Sequence, residues 1–338
     1  MKLMVSGYFG FGNLGDEEIL KNEVGFLSLR FPGVPIRVIS KNDPRIPGAG
    51  FIRRTRLLSL IRCFDRDTVL ITGGGGIFQD GTSIRSLLYY TFLILLARAR
   101  EARCAVFSSG IGPVSSRIGR CALKKALEKC GYISVRDEGS RALSVSLGIG
   151  AERISVTADR FFALSDPTRR SEKEDIIAVS LRSEKEFYAI LPVLSRFCAE
   201  KRLSPVLIPM QPETELPFYE KIAKGLGCKT KTFPSASSLS EYLSGVRLAL
   251  GSRLHFALSA MLSGTPSVTV FDDGKAKAVL SHAGADFPVF EGTPSEAWLS
   301  EALEKAFSGC CASADTEKMR SLAENDEARL CDFIEKRG

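Results

Sequence analysis

Apolar positions along this chain follow two patterns. Short continuous runs such as "KLMV", "PIRVIS", "TVLIT", "CAVF" and "YISV" each end in glycine, serine or charge. Runs of this length bounded by turn residues read as buried strands. Between them lie longer segments with an apolar stripe, such as Ile19, Leu20, Val24 and Leu27 in "DEEILKNEVGFLSLRF", which predict helices. Strand–loop–helix units in series predict a parallel sheet with helices on both faces. A polar stretch from Phe162 to Asp175, with Pro167 and a charge cluster, reads as a linker. The alternation then restarts through "IIAVSLRS", "SPVLIPMQPE", "VRLALGS" and "PSVTVFDD", and the helical segments "AWLSEALEKAF" and "ADTEKMRSLAENDEARLCDFIEKR" follow. The expected architecture is α/β: two Rossmann-like domains, 1–168 and 169–312, facing each other across a cleft, with a C-terminal helix over 313–338.

Composition narrows the class. The 338 residues suit two domains of ordinary size, and the net charge of +7 is mild for that length. It suits anionic ligands or an anionic membrane surface and is too weak to imply nucleic acid. Nine scattered cysteines include no C-x-x-C, so reduced thiols of a cytoplasmic protein are expected rather than a disulfide framework or a zinc site. No metal cluster is visible. The longest apolar run, Leu87 to Ala97, is too short to span a bilayer and reads as a buried helix. Any membrane association would be peripheral.

Gly10-Phe11-Gly12-Asn13-Leu14-Gly15 is a literal G-x-G-x-x-G. A dinucleotide site also needs an acid at the end of the second strand, for the ribose. Ser40-Lys41-Asn42 stand there, with no acid before Asp43. Asp16, Glu17 and Glu18 follow the third glycine directly, where they would repel a pyrophosphate. The loop therefore reads as lining a different ligand, with Gly12 and Asn13 facing it. Asp16 is either a carboxylate stabilising a helix start or a base at the loop tip.

"GGGGIFQDG" reads as a strand entering a second glycine loop, where the N–H groups of Gly74, Gly75 and Gly76 could approach a ligand. Arg136 in "SVRDEGS" sits at a strand end, either as a surface ion pair with Asp137 or as a grip on carboxylate or phosphate. "GSRLHFALSAMLSG" places Arg253 and His255 at a helix start, which together make an anion pocket holding a proton donor. Lys275 follows the next strand.

In this order, "SGYFGFGNLGDEEIL", "ITGGGGIFQD", "SSGIGPV", "SVRDEGS", "VTADRFFAL", "VSLR", "RLHFALSAMLSGTPSV" and "FDDGKAKAVL" resemble the polysaccharide pyruvyl transferase family, in particular its bacterial cell-wall, CsaB-type branch. The resemblance implies a GT-B-like fold, phosphoenolpyruvate as donor, and a sugar diol as acceptor, giving a pyruvate ketal. In the cell-wall branch the acceptor is a lipid-diphosphate-linked disaccharide, which implies peripheral contact with the inner membrane surface. No cofactor is implied. The family's functional positions carry over as Asp16, Arg136, His255 and Lys275. The chain departs from the family in two places. Arg160 and Gly274 stand where the family often has proline, and Lys277 lies close enough to compete with Lys275 for its role.

Phosphoenolpyruvate carries a carboxylate and a phosphate, for which Arg136, Arg253, His255 and Lys275 would supply cations and donors. Asp16 is the candidate base for the acceptor hydroxyl, and His255, with an ordinary pKa near about 6.5, the candidate acid at the phosphate. The main rival is a GT-B glycosyltransferase using a nucleotide sugar, which shares the architecture and differs in donor. A non-enzymatic anion-binding scaffold would explain the glycines but not the paired carboxylate and histidine.

Overall fold

In the computed structural model, residues 1–81, 83–164, 172–309 and 315–336 are described. The first unit follows the strand–helix alternation of the sequence: β1 (Lys2–Ser6), α1 (Leu14–Arg30), β2 (Ile36–Ser40), β3 (Ala49–Arg53), α2 (Leu57–Cys63), β4 (Thr68–Phe78), α3 (Ile84–Ala99), β5 (Arg103–Ile111), α4 (Arg117–Glu128), β6 (Tyr132–Val135), α5 (Glu138–Ser146) and β7 (Ser155–Val156). Its sheet is parallel in the order β3-β2-β1-β4-β5-β6-β7. Leu70, Val106 and Ile133 pack on one face with Leu87, Leu93 and Leu123. Val5, Ile71 and Phe107 pack on the other with Leu20, Val24 and Leu27. Strand order reverses between β1 and β4, and in such sheets ligands bind beyond the carboxyl ends of the strands at that point.

The second unit repeats the plan with β8 (Glu174–Ser180), α6 (Glu184–Lys201), β9 (Ser204–Leu207), α7 (Pro212–Leu226), β10 (Lys229–Thr230), α8 (Ala236–Ser244), β11 (Val246–Gly251), α9 (Leu254–Leu262), β12 (Ser267–Asp272), α10 (Lys275–His282), β13 (Val289–Glu291) and α11 (Glu296–Phe307). Its parallel order is β10-β9-β8-β11-β12-β13, which reverses between β8 and β11. The two-sheet α/β architecture expected from the sequence is present. The expected junctions at 168/169 and 312/313 lie outside the described residues. The strands β3, β10 and β13, and the helices α2 and α10, were not legible in the patterning because they are short and half exposed.

The last helix, α12 (Thr316–Glu335), belongs with the first unit, which comprises 1–11, 16–163 and 317–338. Its Leu330, Cys331 and Ile334 join the core beside α1. A buried polar network fastens it there. Arg160 is only 1% exposed, donates from Nη1 to the Ala323 carbonyl (3.0 Å), and pairs through Nη2 with Glu327 and Asn22. Tyr132 and Ser134 donate their hydroxyls to Asp326. Arg160 therefore clamps the C-terminal helix onto α1. The neighbouring Glu23 is fully buried. Desolvation, opposed by Arg160 and reinforced by Glu327, lifts its pKa to about 8.

No helix among the described residues is long and apolar enough to cross a membrane. The apolar run Leu87–Ala97 lies within α3, with Leu87, Tyr90, Leu93, Ile94 and Ala97 buried. Cys63, Cys104, Cys121, Cys130, Cys198, Cys228 and Cys331 are free thiols.

Candidate active site

In the second unit, three neighbouring strands each deliver a cation just beyond their carboxyl ends: Arg182 after β8, Arg253 after β11 and Lys275 after β12. The supporting loops are tied to one another. Tyr219 donates its hydroxyl to the Leu181 carbonyl (2.9 Å) and accepts the Leu181 N–H (2.8 Å). Glu186 accepts the Arg182 N–H (2.8 Å) and the Ser252 hydroxyl (2.6 Å). The Arg253 guanidinium pairs with Glu215, whose other oxygen accepts the Gln211 N–H (2.9 Å). Arg253 was expected to help form an anion pocket; a buried carboxylate already balances its charge and sets its direction.

Lys275 and Lys277 separate clearly. Lys275 opens α10 and pairs with Asp273 (2.8 Å). Burial opposes ionisation of Asp273, but Lys275 and Arg182 together hold its carboxyl below the usual range. Lys277 reaches instead for Glu291 (2.9 Å) on β13, and its side chain is 61% exposed. The Asp272 carboxylate accepts the N–H groups of Ala276 and Lys277, both at 3.0 Å, so those donors at the α10 start are already used.

His255 is the second residue of α9 and is buried. Residues 12–15 of the glycine-rich opening stretch belong with this second unit. The Leu14 N–H donates to the Met210 carbonyl (2.8 Å). A Cβ added at Gly15 would lie 2.1 Å from Nδ1 of His255, so only glycine lets the start of α1 lie on the imidazole. Asn13 was expected to face a ligand. Its Oδ1 instead accepts the Gly15 N–H (3.2 Å), a helix-capping contact. Gly12, with φ +77°, lies beside Glu213.

In the first unit, Asp16 is the next residue along the chain and is buried. Glu17 takes the Phe11 N–H (3.0 Å), while the Asp16 carboxylate lies over Gly75, where a Cβ would come within 2.8 Å of Oδ1. The expected glycine loop is not a loop. Gly73 to Gly76 lie inside β4, and Gly73 and Gly75 pair with Phe107 and Ser109 of β5. A Cβ at Gly73 would meet the Phe107 carbonyl, and one at Gly74 the Phe9 ring. Gly74 and Gly75 also carry positive φ. The glycines serve close packing of protein atoms, including Asp16.

Arg136 directly follows β6, at the strand end as expected, but it is neither a surface ion pair nor an open grip. It is 1% exposed, its Nη1 lies 2.7 Å from Asp159, and its Nε lies 3.6 Å from Asp137. Gly110 leaves room for it, since a Cβ there would lie 2.7 Å from Nε. Asp137 also caps α5 through the Ser140 N–H (2.7 Å). One buried cation thus holds β6 and the starts of two following segments.

The family model described as polysaccharide pyruvyl transferase matches residues 13–272. The chain belongs to that family. No curated protein sequence matches it. Among solved structures, the UDP-GlcNAc 2-epimerase of Neisseria meningitidis bound to UDP-GlcNAc is similar with TM-score 0.69 and 10% identity, over 98% of this chain and 100% of that one. The Methanocaldococcus jannaschii UDP-GlcNAc 2-epimerase, in complex with UDP-GlcNAc and UDP, gives TM-score 0.66 and 12% identity over 98% and 100%. The lipopolysaccharide outer core galactosyltransferase WaaB, in its apo form, gives TM-score 0.52 and 13% identity over 99% and 98%. These likenesses identify a GT-B-like architecture.

Glu215, Glu186, Arg182 and Tyr219 also shape this site and were not candidates from the sequence. Arg182 closes the family-like stretch "VSLR", and Glu186 left a signal as the fourth residue of the S-x-x-E stretch Ser183–Glu186. Glu215 looks like any acid in the first turn of a helix.

Proposed function

We propose that this pyruvyl transferase moves pyruvate from phosphoenolpyruvate onto a sugar diol of a lipid-diphosphate-linked cell-wall precursor, as in the CsaB-type branch. The reaction adds a proton to the donor methylene carbon and a sugar hydroxyl oxygen to C2. The C2–O bond to phosphate then breaks, and a second hydroxyl closes the ketal as phosphate leaves with its proton. Asp16 takes the proton of an attacking hydroxyl. His255 donates toward the departing phosphate, and Lys275 and Arg182 offset the donor's charge. Charge stabilisation by preplaced cations costs little reorganisation during the reaction.

The observation that carries this reading is the seat of Gly15 on His255. Both residues belong to the second unit and to two of the segments on which the family resemblance rests, and the candidate base is the residue after Gly15 in the chain. Arg136 enters the proposal as a positioning residue, because two carboxylates hold it.

The test is a purified-protein assay with phosphoenolpyruvate and a lipid-linked or model disaccharide. Phosphate release should depend on the acceptor, and the acceptor should gain a pyruvyl ketal by mass. Sugar transfer from a nucleotide donor with no ketal would transfer the assignment to a glycosyltransferase.

A further inference from the structure

The chain's positive charge is concentrated on one part of the first unit. Residues 45–100 hold nine arginines and no lysine against three aspartates, a net +6 of the whole chain's +7. None of this charge is used by the candidate site. Arg37, Arg53, Arg56 and Arg62 line a cavity of about 690 Å³ with Phe51 and Ile52. Among the described residues, Asp43 is the one acid on its wall. Among the described residues, none of these four arginines makes an ion pair. Arginine in such number is suited to phosphate, which its planar fork can hold in a bidentate manner.

Exposed apolar side chains stand in the same place. Leu57 and Leu58 follow Arg56 on α2 and are 46% and 71% exposed. On α3, Leu88, Tyr89, Phe92, Leu95 and Leu96 recur at helical spacing; Phe92 is exposed and the other four are half-buried. Arg54, in the turn between β3 and α2, packs on α3: its guanidinium lies 4.1 Å from the Tyr89 ring centre, and its carbonyl accepts the Tyr89 hydroxyl (3.1 Å). Arg85, Arg98 and Arg100 stand at the ends of the α3 stripe, and α3 contains no acid. Leucines and a phenylalanine bordered by arginines, with almost no carboxylates, match the boundary between lipid headgroups and acyl chains.

We propose that the α2–α3 face of the first unit docks on an anionic phospholipid bilayer. Leu57, Leu58 and Phe92 enter the acyl boundary, and the arginine-lined cavity takes a headgroup phosphate. An acidic protein would also meet the arginines, but it gives no reason for the exposed leucines beside them. The proposal goes beyond the proposed reaction and does not rest on it.

The test is sedimentation with vesicles, without donor or acceptor. The parent should bind phosphatidylglycerol-containing vesicles, fail to bind pure phosphatidylcholine vesicles, and release on added salt. Each of Arg53→Glu and Arg56→Glu should weaken binding about fivefold or more, the equivalent of roughly 1 kcal/mol per basic residue at an anionic surface. Leu57→Ser/Leu58→Ser should also weaken it. These positions are exposed, so melting temperatures should match the parent, and transfer to a water-soluble disaccharide should be unchanged. Equal binding to both vesicle types, or variants that bind like the parent, would overturn the proposal. So would displacement by inorganic phosphate with the leucine variant unaffected, which would make the cavity a soluble-anion site.

Discussion

Gly15 lies so close to His255 that a Cβ there would come 2.1 Å from Nδ1 and 2.4 Å from the histidine's own Cβ. Either the imidazole or the start of α1 must move if that position carries a side chain. Gly15→Ala should therefore lower kcat about 10²-fold, the size of loss that follows a displacement of roughly 1 Å in a catalytic group. The assay is ketal formation at saturating donor. Parent-like turnover would remove His255 from the chemistry.

His255 and His282 form an internal comparison. His255 begins α9 beyond β11, whereas His282 closes α10 at its far end. His255→Ala should reduce transfer about 10²–10⁴-fold, the usual worth of acid–base assistance, with a modest change in melting temperature. His282→Ala should retain nearly full activity. Equal losses in the two variants would mark His255 as structural.

Arg136→Ala should act first on stability. It would leave Asp159 and Asp137 without their buried partner, and breaking such a pair costs about 3–5 kcal/mol. At about 2–4 °C per kcal/mol for a unit of this size, thermal unfolding should show a large drop. A variant with parent-like melting and a raised donor KM would instead show that Arg136 holds the donor directly.

Lys275→Ala should weaken donor use about 10- to 150-fold in kcat/KM, the range for one lost contact to a charged group. Lys277→Ala should behave like the parent, since that side chain is exposed and engaged with Glu291. The reverse ranking in steady-state kinetics would transfer the role to Lys277.

Glu23 predicts a pH dependence. Its folded pKa is raised to about 8 from an ordinary 4.5, so the folded state holds a proton that the unfolded chain releases. Its contribution is fully present below the ordinary value and is lost as pH rises through the folded one. Stability of the first unit should therefore decline between about pH 5 and pH 8. Glu23→Gln should flatten that decline in melting curves taken across this range. An unchanged slope would mean that Glu23 does not titrate there.

The sequence alone determined the alternation of strands and helices. Buried strands and striped helices declare themselves locally, through which residues face the core. It also placed Arg136 at a strand end, Arg253 and His255 at a helix start, and Lys275 after the following strand, because an apolar strand run precedes each. Tertiary structure alone decided what those groups touch. The glycines of β4 read as a loop in sequence, but their neighbours are Phe9, Phe107 and Asp16, which come from the loop after β1, another strand and a helix. Arg253 read as part of an anion pocket until α7 brought Glu215 against it, and Arg136 as a surface ion pair or an anion grip until the turn after β7 supplied Asp159. The last helix looked like a separate tail, yet Arg160 ties it to the first unit. Charge pairing depends on groups within a few ångströms in space, and nothing in local periodicity records which distant residue will fill that space.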